Sequence, residues 1–226
     1  MVRAHAQPIY GDLQAPLAGR VYGLAIHTAD AEELRYVVLR HLTDRYAAEQ
    51  RIDVTAAEQQ AYVRRVREGL LDERRQQQAR RDALTRQLVD VGLSRQQRER
   101  LAAELDGVNQ ALDALGPGTD AADDRQIREQ IAAAFIRQWK INQALHRQYG
   151  GRIVYQQGGP EPLDAYREFL QQAQARGDFA IYDATLEAPF WRYYRTDSLH
   201  SFYPRGSREE SQAFDAPFWQ SEQKLR

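Results

Sequence analysis

Apolar residues at Leu34, Val37, Val38, Leu42 and Tyr46 recur at the 3.6-residue period of one helix face, so a first amphipathic helix is predicted from Asp30 to about Gln50. Asp30 and Glu33 have the spacing of an N-cap and its capping-box partner. Thr55 and Glu58 repeat that spacing and open a second, longer helix with Tyr62, Val63, Val66 and Leu70 on one face. Through DERRQQQARR the pattern is polar on every side, which places that stretch in solvent. Apolar spacing returns at Leu84, Leu88 and Val91; Gly92 is a candidate C-terminal cap, and Ser94 with Gln97 restarts a helix. Leu101, Leu105, Val108, Leu112 and Leu115 follow at alternating four and three residues, a narrow coiled-coil seam. An antiparallel helical hairpin over 71–116 is the expected result. A fourth long helix over about 123–149 carries Ile127, Ile131, Phe135, Trp139, Asn142, Leu145 and Tyr149 on one face, and Gly150 and Gly151 stand where a C-cap takes glycine.

Two segments have strand character. Residues 20–27, RVYGLAIH, alternate, and 152–156 contain the β-favouring Ile153, Val154 and Tyr155. Each is too short to stand alone, so they are expected to pair with each other across the helical excursion between them. The predicted fold class is mainly α: a long-helix domain over 1–226, a protruding antiparallel hairpin at 71–116, and a small two-stranded pairing of N-terminal and post-helix strands. Residues 178–226 form an aromatic-rich C-terminal extension.

Charge sharpens the hairpin. The whole chain is balanced, with 31 Lys and Arg against 32 Asp and Glu, so no global field draws it to nucleic acid. Locally, 74–100 holds Arg74, Arg75, Arg80, Arg81, Arg86, Arg95, Arg98 and Arg100 against three acids, whereas 101–124 has acids and no base. Adjoining segments of opposite sign read as two arms that attract each other. No run reaches the roughly 20 apolar residues of a membrane span.

Candidate chemistry is sparse. Cysteine is absent, so disulfides, thiolate catalysis and cysteine-ligated zinc are excluded. The five histidines are scattered without metal-ligand spacing, and no metal or cofactor is implied. The glycine pairs in YGGRIVYQQGGPEP suggest a phosphate cradle, but no Lys, Ser or Thr follows, Glu161 and Asp164 stand where phosphate would lie, and Pro160 and Pro162 remove donors. No catalytic centre is read, and a non-enzymatic protein is expected. Ala4, His5 and Ala6 have the small-x-small form of a signal-peptidase site, which points to export.

Half of the aromatic residues lie between Phe179 and Trp219, and APFW occurs twice, at 188–191 and 216–219. They serve either as anchors packing a loop-rich tail onto the helices or as an apolar surface for polypeptide partners. The candidate peptide-binding set is Phe190, Trp191, Tyr194, Phe202, Tyr203, Phe218 and Trp219.

Residues 21–63 resemble the start of the N-terminal chaperone domain of SurA-type and PpiD-type periplasmic proteins. The matching positions are Val21, Gly23, Ile26 and Thr28, then Glu33 and Leu34, then Ile52, Val54, Thr55 and Glu58. His27 departs from the apolar residue that more often precedes the threonine. Residues 127–157 resemble the closing helix and return strand of the same domain, and the hairpin has no counterpart. No segment reads as a parvulin isomerase domain. The resemblance implies a periplasmic, non-enzymatic chaperone that holds unfolded or extended polypeptides in a cleft between the helical body and the aromatic region. The alternative is a helical scaffold that binds one dedicated protein partner, or a second copy of itself, through its hairpin.

Overall fold

The computed structural model describes residues 8–116, 122–156, 158–217 and 219–220, with the backbone alone for 122–127. Phe218 of the candidate set and the Ala4-His5-Ala6 motif lie outside the described residues. The chain is mainly helical, and its described residues fall into two compact units. One comprises Met1–Val54 and Arg137–Ala216, the other Thr55–Ile136 and Pro217–Arg226.

In the first unit the chain opens with β1 (Ile9–Gly11), β2 (Leu17–Val21) and β3 (Leu24–His27), followed by α1 (Ala31–Glu49). The run 20–27 is therefore a hairpin and not one strand. Tyr22 and Gly23 both have positive φ, 47° and 83°, the condition for a two-residue turn whose twist matches its strands. Val21 and Leu24 face each other directly across it. The sheet order is β1-β3-β2-β6, with β1 parallel to β3 and the edge strand β6 (Phe179–Ile181) antiparallel to β2.

The N-terminal strand does pair with a strand that follows the long helices, but its partner is β6. The expected pairing of 153–155 with 21–26 does not form: β4 (Val154–Gln156) pairs with β5 (Gly159–Glu161) in a separate two-stranded sheet. On its other side β4 bridges to Phe202, with Tyr155 N–H donating to the Ser201 carbonyl and Tyr203 N–H to that of Ile153. Local complementarity decides this competition, because β5 lies three residues away while 21–26 already has neighbours on both sides.

The core of this unit gathers Val21, Ile26, Leu34, Val38 and Leu42 with residues of three later helices. These are the second half of α4 (Ala122–Tyr149), α5 (Leu163–Ala175) and α6 (Ala184–Arg195), which contribute Leu145, Leu170 and Phe190 among others. Asp30 caps α1 by accepting from Glu32 N–H. Glu33 does not complete a capping box; its carboxylate accepts from the Thr28 hydroxyl.

The second unit is built on α2 (Ala56–Leu88) and α3 (Arg95–Ala114). Reciprocal capping boxes at Thr55/Glu58 and Ser94/Gln97 start both helices. Gly92 is not the cap of α2: the helix stops at Leu88, and the Asp90 carboxylate accepts from Gly92 N–H in the connecting turn. The antiparallel register shows in three contacts: Arg98 with the Leu88 carbonyl, Arg80 with Glu104 at 2.6 Å, and Arg74 with the Gly116 carbonyl. Leu84 and Val108 are the buried residues of this pair of helices. In the part of α4 that belongs to this unit Ala132 and Ile136 are buried, while Ile131 and Phe135, one position away, are 48% and 43% exposed. The Phe135 ring stacks on Tyr62 at 6.0 Å, and Tyr62 also meets Trp219.

Candidate functional site

The aromatic candidates separate sharply. Phe190, Trp191 and Tyr194 are at most 2% exposed, on the inner face of α6. Phe190 stacks on Phe179 at 5.6 Å and meets Trp191 edge-on at 5.4 Å. These three are core residues, which corrects their placement on a contact surface. Trp219 is also buried and belongs to the other unit. The first APFW copy, 188–191, lies inside α6, whereas Ala216, Pro217 and Trp219 of the second lie in no helix or strand. Phe202 and Tyr203 alone of the described candidates are half-buried.

Those two residues lead to a small platform. Alternation along β4 turns Val154 inward and Tyr155 outward. Pro160 is the direct partner of Tyr155 across the β4–β5 pair and so shares its face. Tyr203 reaches that face from the other side, its ring edge-on to Tyr155 at 6.1 Å. Tyr155 is 64% exposed. The outer surface is thus two tyrosines and a proline, whose rings offer apolar area with few rotatable bonds to order.

The inner face is polar. Tyr193 OH donates to the Glu161 carboxylate at 2.7 Å, and the Gln156 amide meets both groups. His200 lies edge-on to the Tyr193 ring at 4.7 Å, and the Arg35 guanidinium sits over that ring at 4.9 Å. Burial pushes the Glu161 carboxyl above the ordinary carboxylate range, against the opposing pull of Tyr193, His200, Gln156 and Arg35. Burial likewise raises the phenols of Tyr166, Tyr193 and Tyr194, with the Glu161 charge adding to each. Beneath β5 the Asn142 amide donates to the Pro160 carbonyl at 2.9 Å and accepts from Tyr166 OH at 2.7 Å, which ties the strand to α4 and α5.

Arg152 fastens the platform's base. Its guanidinium makes paired bonds to Asp164 at 2.8 and 3.1 Å and to Asp197 at 2.6 and 3.1 Å, while stacking over Phe202 at 4.3 Å. Bidentate arginine pairs hold orientation as well as charge. Burial works to raise Asp164, yet the Arg152 bonds outweigh it and leave its carboxyl below the ordinary range; Asp197 is lowered by the same side chain.

The sign of the pH effect follows. Glu161 binds its proton more tightly folded than unfolded, so its favourable contribution is complete below the unfolded value and is lost as pH rises through the folded one. Glu161→Gln keeps an acceptor for Tyr193 without a charge. The variant is expected to match the wild type in urea unfolding near pH 4 and to exceed it near pH 8, by about 1.4 kcal/mol per unit that the carboxyl is raised. An equal difference at both pH values would refute this assignment.

Sequence reasoning missed Tyr155 and Pro160 as surface residues and Arg152, Asp164 and Asp197 as a cluster. Strand alternation carried a signal for Tyr155, but which face is outward depends on pairing. Elsewhere on this unit a shallow pocket is lined by Gln143, His146, Arg147, Glu210 and Phe214, with charges of both signs. Among the described residues no group of three or more His, Asp or Glu is placed to hold a metal ion, and no helix is long and apolar enough to cross a membrane. No family model, curated protein or solved structure matches the chain.

Proposed function

We propose that this protein is a polypeptide-binding module of the chaperone class that holds extended apolar segments without covalent chemistry. The observation that carries the reading is the Tyr155–Pro160–Tyr203 face, an exposed aromatic surface on a short sheet whose base is fixed by Arg152. An extended segment laid across it stacks against the two rings and the proline, a mode of contact in which affinity comes from buried aromatic area. The aromatic-rich region thus contributes through Tyr203 at the surface, with Phe202 beneath it, while Phe190, Trp191 and Tyr194 supply the rigid support.

The resemblance of residues 21–63 to the periplasmic chaperone domain belongs to the same proposal, together with the envelope location it implies. The capped start of α2 at Thr55 and Glu58 agrees with the quoted signature, but β4 pairs with β5 and not with 21–26, so the resemblance as a whole loses its main support.

The test is binding of a labelled, unfolded peptide rich in apolar and aromatic residues, read by fluorescence anisotropy, beside suppression of aggregation of an unfolded client. Tyr155→Ala and Tyr203→Ala are each expected to weaken binding about fivefold to thirtyfold, the effect of losing an aromatic anchor worth roughly 1–2 kcal/mol. Unchanged affinity in both variants, or a wild-type protein without effect on client aggregation, rules the reading out.

A further inference from the structure

The shallow pocket beside the end of α4 shares no residue with the Tyr155–Pro160–Tyr203 face, and the polypeptide-binding reading leaves it unused. Its volume is about 290 Å³. A water molecule takes up about 30 Å³ of the liquid, so this is room for roughly ten non-hydrogen atoms, the size of a small metabolite and not of a polypeptide segment. One wall is α4, where Gln143, His146 and Arg147 stand at i, i+3 and i+4 and so share a helix face. The other wall is α7 (Arg208–Gln212) with the residues that follow it. Two contacts fix the walls relative to each other. The Gln143 amide donates to the Phe214 carbonyl at 2.7 Å, and the His146 and Phe214 rings meet at 5.1 Å between centroids. The two rings supply the apolar part of the lining.

The charged groups of the lining differ in what they already hold. Glu210 is engaged, its carboxylate accepting from Gly206 N–H at 2.6 Å, and the Ser211 hydroxyl donates to the Arg208 carbonyl. Arg147 on the helix wall and Asp215 on the other line the same pocket, and neither side chain has a hydrogen bond or ion pair among the described residues. Opposite charges that share a cavity attract, yet these two stay apart because the Gln143–Phe214 and His146–Phe214 contacts hold the walls that carry them. A small ligand carrying both an anion and a cation satisfies the two at once. Its carboxylate takes paired bonds from the Arg147 guanidinium while its ammonium faces Asp215. We propose that this pocket binds a free α-amino acid as its zwitterion, with the side chain of the ligand lying against Phe214 and His146. An aromatic side chain suits that ring-lined surface, so L-phenylalanine is the probe.

Arg147 and Asp215 are both exposed, so water competes for each charge and the affinity is low, with Kd on the order of 1 mM. Titration of the full, nitrogen-15-labelled chain with L-phenylalanine to about 20 mM is expected to move the amide resonances of 143–147 and 210–215 along a saturating curve. N-acetyl-L-phenylalanine lacks the ammonium and phenethylamine lacks the carboxylate, and each is expected to bind at least about fivefold more weakly. Arg147→Gln and Asp215→Asn break no bond among the described residues, so far-UV circular dichroism stays unchanged while affinity for L-phenylalanine falls about fivefold to tenfold. The absence of saturating shifts at 143–147 and 210–215 overturns the proposal. So does equal affinity for either one-charge compound, the acetylated one being the mimic of a polypeptide C-terminus, or unchanged affinity in both variants. Tyr155→Ala is read by a labelled peptide and leaves the L-phenylalanine titration as it was, so the two readings fail separately.

Discussion

Trp191→Ala is expected to lower the unfolding free energy by about 3–5 kcal/mol, the usual range for emptying a buried aromatic position. Trp191 is 1% exposed, packs edge-on against Phe190 and Tyr194, and is covered by the Arg195 guanidinium at 4.7 Å. Alanine removes all those contacts at once, and α6 cannot collapse to refill the space while Phe190 and Tyr194 on either side remain anchored. The indole nitrogen is buried without a hydrogen-bond partner. Trp191→Phe therefore gives up volume but no hydrogen bond, and a cost of roughly 1–2 kcal/mol is expected. Urea titrations followed by far-UV circular dichroism measure both. Had Trp191 been a binding anchor, alanine would reduce peptide affinity and spare stability; a loss below about 1 kcal/mol would return it to that role.

The contrast shows what the sequence carries. Helices were legible because their information is local: the period of α1, and the paired residues Thr55/Glu58 and Ser94/Gln97, act within one or two turns. The hairpin was legible from charge, since a basic stretch next to an acidic one has an obvious partner, realised in Arg80 and Glu104. Aromatic density did not separate core from surface, because burial depends on where each ring falls on a packed helix. Phe190, Trp191 and Tyr194 face inward on α6, whereas Tyr155, on a three-residue strand, faces water. Residue size also misled along α4, where Ala132 and Ile136 are buried and the bulkier row of Ile131 and Phe135 is not.

Strand partners were the least legible feature. A two-residue turn preserves alternation, so RVYGLAIH reads as continuous although Val21 and Leu24 face each other across Tyr22 and Gly23. Pairing between distant segments is set by the assembled core, and β6 reaches β2 only because α5 and α6 pack beside it. The Arg152 cluster was hidden for the same reason. Asp164 and Asp197 are remote in sequence and meet one guanidinium only after α5 and the 3-10 turn Asp197–Leu199 are in place.

Gly151 is where that assembly is most exposed to a single methyl group. Gly150 and Gly151 both have positive φ, 67° and 89°, as the chain leaves α4 for β4. At Gly150 an added Cβ meets nothing within 4 Å, so Gly150→Ala costs only the left-handed backbone, about 1 kcal/mol. At Gly151 the same Cβ would lie 2.4 Å from the Asp164 Cβ, so Asp164 must shift. Any such shift strains the bonds that Asp164 accepts from the Arg152 backbone and guanidinium, 2.9 and 2.8 Å long. Backbone strain together with a damaged, partly buried ion pair gives an expected loss of about 3 kcal/mol for Gly151→Ala. Asp164 and Asp197, lowered in the folded state, contribute stability above the ordinary carboxylate range that is lost as pH falls through their folded values. The penalty of Gly151→Ala is accordingly expected to shrink on acidification, whereas that of Gly150→Ala stays constant. Urea unfolding of both variants at pH 7 and near pH 3 decides it: equal losses at pH 7 would mean that the close approach to Asp164 does not hold β4 in place.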